Sequence, residues 1–187
     1  MASDGADHLN DIERKLIDNL RAGTYNTIVA GAETTATAWV GGAGATNGDV
    51  TVFAQFPTTS ETVYPCIVAE QAANGIETQF MGQKLTSDSS DAIGELYGVA
   101  FNLYIGVDKA SMLNIGPDGA TEPYKERRLL NYLMLNCANI LMDCDFDSTD
   151  SEVVQRNFGG FRNIGYNPEQ EIWAAEAMMI VVFKNFR

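Results

Sequence analysis

Histidine is all but missing from this sequence, and basic side chains of any kind are scarce. The 187 residues hold one histidine, 12 Lys+Arg and 25 Asp+Glu, for a net charge of -13. Too few cations are present to neutralise a row of phosphates, which excludes a sequence-independent DNA or RNA binder. The lone His8 leaves a Ser-His-Asp or Cys-His arrangement almost without material, and histidine-based zinc sites fail by count. No CxxC pair occurs among Cys66, Cys137 and Cys144. Cys137 and Cys144 fall seven apart in an expected helix, roughly 10 Å between α-carbons, so buried free thiols are expected instead of a disulfide. No apolar run approaches the roughly 20 residues of a membrane-spanning helix, because Glu176 interrupts the longest, at 172–183. The polar, acidic first residues predict no secretory signal. Gly42-Ala43-Gly44-Ala45-Thr46-Asn47 lacks the third glycine of a dinucleotide fingerprint and reads as a turn.

What remains is an acidic chain of ordinary globular hydrophobicity, 45%, long enough to bury a core as one domain, 1–187. Leu9, Ile12, Leu16 and Leu20, with Ile17 beside them, form one helical stripe and predict a helix over 7–22, capped by Asp7 and stopped by Gly23. Ten of the 39 residues at 24–62 are Thr, and the Gly-rich turns among them predict a β-rich insertion or arm. Strands are expected at 50–56, 64–71 and 76–81, the last two joined by a tight Asn74-Gly75 hairpin. Residues 84–90 read as a polar loop and 114–119 as a turn. Odd-numbered apolar residues from Val99 through Phe101, Leu103, Ile105 and Val107 predict a long half-buried strand. Thr121 and Pro123 open a second helix reaching about Met142, apolar over much of its circumference. Strands follow at 152–158 and 172–183, the latter apolar on both faces. The order is α+β: an antiparallel sheet with an N-terminal helix and a second long helix packed on it.

Few side-chain constellations carry chemistry. Asp143, Asp145 and Asp147, followed by Asp150 and Glu152, imitate the start of a calcium loop. The imitation fails at the sixth position, Ser148 in place of glycine, and at the twelfth, Val154 in place of a bidentate glutamate. A solvated acidic loop is the better reading, and no metal, cofactor or catalytic residue is expected. Lys125, Arg127 and Arg128 make the one dense basic cluster, read as salt bridging within or between subunits.

The layout resembles the tail terminator proteins of long-tailed, siphovirus-like viruses. The matching pieces are the opening helix (Leu9, Ile12, Leu16, Leu20) and the strand Tyr64-Pro65-Cys66-Ile67-Val68-Ala69. The strand ending Tyr104-Ile105-Gly106-Val107, the helix around Leu129-Leu130-Asn131-Tyr132-Leu133, and the closing strand from Glu171-Ile172-Trp173 to Phe183 complete them. An evenly acidic, lysine-poor chain also resembles proteins of salt-loving microbes and their viruses, with an ordinary acidic mesophile protein as the alternative; joined to the tail-terminator resemblance, it points toward a virus of a haloarchaeon. The resemblance implies a hexameric ring, assembled in the host cytoplasm, that caps the tail tube and joins it to the neck connector. Its partners would be the tube and connector proteins, with DNA passing through the lumen unbound and with no membrane and no catalysis. Kindred readings are a head-closure protein or the tube subunit; an acidic enzyme and a cellular structural protein are the distant ones.

Overall fold

The computed structural model describes residues 5–39, 50–58, 61–84, 93–113, 123–144, 146 and 151–186. Its first element, α1 (Gly5–Ala22), follows from the leucine-isoleucine stripe: Ile12, Leu16 and Leu20 are fully buried and Ile17 nearly so. Gly23 ends it in the left-handed region (φ +61), donating its N–H to Asn19 O at 3.0 Å. A β-carbon there would lie 2.7 Å from Trp39 O and 2.8 Å from the indole ring, so glycine is required twice over. Trp39 in turn donates its indole N–H to Leu20 O at 2.8 Å, satisfying a carbonyl that the helix end leaves open.

The Thr-rich stretch supplies both surface and core. β1 (Thr24–Val29) and β2 (Ala32–Thr37) form an antiparallel hairpin, largely exposed. Ala38, Trp39, Val50 and Val52 are buried in the main core. The expected strand at 50–56 is shorter, β3 (Thr51–Phe53), and it runs parallel to β4, so the sheet is mostly and not wholly antiparallel.

β4 (Cys66–Lys84), β5 (Ile93–Asp108), β8 (Ser151–Asn167) and β9 (Ile172–Phe186) complete a sheet ordered β3-β4-β5-β9-β8. The hairpin expected at Asn74-Gly75 is not there. β4 runs on through those residues, and the pairing with β5 jumps between Gln71 and Ile76, so the turn signal is absorbed as an irregularity inside one strand. The odd-numbered residues of β5, Val99 through Val107, are all buried, as the alternation requires. Ala175, Ala177, Met179, Val181 and Phe183 of β9 continue the same face.

Two short strands, β6 (Met112–Leu113) and β7 (Tyr124–Lys125), pair ahead of the second helix, α2 (Glu126–Asp143). This pairing delays the helix by a few residues beyond Pro123, because Tyr124 and Lys125 are extended. α2 buries Leu129, Leu130, Leu133, Cys137, Ile140 and Leu141, and joins α1 in one core on the odd-numbered face of the sheet. The loop expected at 84–90 lies, beyond Lys84, outside the described residues, as does the turn at 114–119.

Candidate functional site

The acidic run does not form a described centre. Asp143 closes α2, whereas Asp145, Asp147 and Asp150 lie outside the described residues. Asp143 Oδ2 accepts the Asn26 N–H at 2.9 Å, pinning the β1–β2 hairpin to the end of α2. Among the described residues, no three His, Cys, Asp or Glu side chains converge to hold a metal. His8 belongs to the first turns of α1.

All three cysteines are buried and none forms a disulfide. Cys66 lies on the sheet face opposite the helices, beneath a cap of aromatic rings. Tyr64 covers Gly106, where an added β-carbon would lie 2.7 Å from the tyrosine ring, and Phe56 packs on Tyr104 with centroids 5.5 Å apart. Burial pushes the Cys66 thiol up to about 12, and nearby Asp108 adds to it. Burial likewise raises Tyr104 to about 12, reinforced by Tyr64, Cys66 and Glu176. Tyr64 is raised for the same reasons: burial first, then Cys66 and Asp108. A protonated, covered thiol is a poor nucleophile, so this cluster of acids works as packing.

The basic residues separate into two roles. Arg156 of β8 donates to Met142 O at 3.0 Å and to Cys144 O, placing a cation on the open carbonyls at the end of α2. Lys125, Arg127 and Arg128 are exposed at the other end of that helix. The Arg128 guanidinium lies 4.1 Å above the Tyr124 ring, and Tyr124 packs edge-on against Tyr132. Among the described residues, no carboxylate forms an ion pair with any of the three. Salt bridging within the chain, one half of the expectation for this cluster, is therefore not what the described residues display.

Among the described residues, the even-numbered sheet face is incompletely covered. Both helices pack on the opposite side. Ala100, Met178 and Ile180 are half-buried there, next to exposed Asn102 and Glu176. Cross-strand pairing sets Ala100 beside Ile180 and Asn102 beside Met178, giving a patch of apolar side chains at the middle of the sheet. Among the described residues, both sheet edges are open as well. β3 covers β4 only along Cys66–Val68, and β8 has no outer neighbour among the described residues. Val154, Ile164 and Tyr166 of β8 are exposed. Three register shifts against β9 interrupt that edge, and Gly160 and Asn163 have positive φ, so it offers no long regular template to another strand. The half-buried patch was legible in the two-faced pattern of 172–183; the aromatic cap over Cys66 was not, since its members come from separate segments.

No protein-family model matches this chain, and no curated protein sequence matches it.

Proposed function

We propose that this chain is a structural virion protein of a long-tailed virus, a tail terminator whose copies close into a ring of six between tail tube and neck connector. The observation that carries the reading is the half-buried apolar patch on the even-numbered sheet face, Ala100, Met178 and Ile180, which no described helix covers, opposite a face already filled by both helices. A neighbouring subunit is the natural cover, and contacts between unlike surfaces close into a ring when the rotation per subunit permits. The order helix, sheet, second helix, closing strand agrees with the tail-terminator resemblance, and the net charge of -13 suits a lumen that lets DNA slide without sticking. Catalysis has no part in this reading, and its partners are further copies, the tube protein and the connector protein.

Mass measurement and electron microscopy of the full chain in molar salt test it. Closed rings are expected, and Met178→Glu together with Ile180→Glu should leave folded monomers. Long stacked tubes would favour the tube subunit instead. A stable monomer at micromolar concentration, with no ring on virions, overturns the proposal.

A further inference from the structure

α2 turns a second stripe to solvent. Arg128, Asn131, Leu135 and Met142 follow one another at helical spacing on the side opposite its buried leucines. Leu135 is 63% exposed and Met142 57%, an unusual pair of apolar side chains on one helix face. The two ends of this stripe carry the wrong charges for their own helix. Cationic Lys125, Arg127 and Arg128 sit where the macrodipole favours anions, and exposed Asp143 sits where it favours cations. Each end therefore offers what the other end of a reversed copy would take.

A groove beside Asp143 is shaped for that exchange. It has a volume of about 320 Å³ and is lined by Tyr25, Asn26, Thr27, Asn139, Met142 and Asp143. The Asn26 N–H holds one carboxylate oxygen of Asp143, which orients the group and leaves the other oxygen free. A carboxylate, an amide and a tyrosine ring together are the partners a guanidinium uses, through its planar fork and its stacking face.

We propose that α2 packs antiparallel on α2 of a second copy of this chain, about a two-fold axis at Leu135, with each Arg128 entering the other copy's Tyr25–Asp143 groove. Leu135 lies at the middle of Glu126–Asp143, so inversion about it brings Leu135 against its own copy. It brings Asn131 against Asn139, and Arg128 against Met142 with its long side chain reaching Asp143. The Arg128–Asp143 pair then forms twice. Neighbouring subunits of a six-membered cyclic ring are not related by a two-fold axis, so this contact joins copies of two rings or holds a dimer in solution, and it stands whether or not a ring forms. One helix seam about 27 Å long is smaller than a standard interface, so the association is weak and needs covalent capture.

Leu135→Cys in the full chain provides that capture, because the three native thiols are buried and silent. Mild oxidation should yield a disulfide-linked dimer by non-reducing mass analysis, while Asn10→Cys on the exposed side of α1 should stay monomeric. Adding Arg128→Glu to Leu135→Cys should slow dimer formation about tenfold or more, since both symmetric pairs are lost at once. Adding Asp143→Arg to that variant should restore it. No dimer, a dimer formed no faster than with Asn10→Cys, or a rate indifferent to Arg128→Glu overturns the proposal. So does failure of restoration in a charge-swapped variant that keeps its native circular dichroism.

Discussion

Cys137 has no exposed surface between α2 and the sheet, and burial pushes its thiol up to about 12 from an ordinary 9.0. Cys66 shares that value, and Tyr104 rises from 10.0 to about 12. All three are acids that the fold keeps neutral. Their raised folded pKa values stabilise the protein fully below the unfolded values, near 9 and 10, and the contribution is lost as pH climbs through about 12. Thermal melts should therefore be level in this respect from pH 7 to 8.5 and fall steeply above pH 9 to 10. Cys137→Ala should cost about 1 kcal/mol at neutral pH through the space it leaves and yet flatten the alkaline limb. A variant as steep as the parent above pH 9 would show that the burial of this thiol is not what sets the limb. Tyr132 is raised too, by burial first and then by Tyr25 and Tyr124, which ties part of the same response to the β1–β2 side of the molecule.

Among the elements, α2 depends on β8 for its ending. Arg156 reaches across to Met142 O and Cys144 O, a cation placed where the dipole favours one. Arg156→Ala should destabilise the fold by about 1–2 kcal/mol in denaturant titrations, with Arg156→Lys intermediate because an ammonium cannot span both carbonyls as well. An effect under a few tenths would mean that water replaces the guanidinium without loss. Periodicity made the elements around this contact readable in advance: the 3.6-residue stripe of α1, the odd-numbered alternation of β5 and the stop at Gly23 all appear at their expected positions. What misled was local turn chemistry. Asn74-Gly75 is a strong hairpin pair, yet the long antiparallel match of β4 with β5 continues past it, and tertiary pairing outweighs a two-residue preference. The parallel β3–β4 pair and the β6–β7 pair join segments distant or separated in sequence, which no window of residues reports. Legibility of the candidate surfaces was partial in the same way. The two apolar faces of 172–183 were plain, whereas the Arg128 end and the groove at Asp143 meet only when two helices are considered side by side.

For the molecule as a whole, charge is the dominant variable. A net charge of -13 on 187 residues is self-repulsion that salt can screen. The screening length shortens from about 10 Å at 0.1 M to about 3 Å at 1 M, less than most separations across the surface. The described ion pairs that the same salt would weaken are exposed ones, Arg14 with Asp11 at 2.9 Å and Lys109 with Glu171 at 3.9 Å, and such pairs contribute little. Melting temperature should therefore rise between low and molar sodium chloride. An unchanged or lower value in salt would count against both the repulsion and a saline setting.

Trp39, which fills the space under Gly23 and is 3% exposed, has a further consequence in light emission. The chain's two tryptophans occupy unlike surroundings. One indole is enclosed at the end of α1 with its N–H engaged by Leu20 O, and the other, Trp173, is half-buried at the start of β9 with Tyr166 5.1 Å away. The enclosed indole emits at shorter wavelength, and the Tyr166 ring marks the second as the reporter of the β8–β9 ribbon. A single fluorescence spectrum thus carries two separable colours, one for the junction of α1 with the core and one for the far ribbon of the sheet.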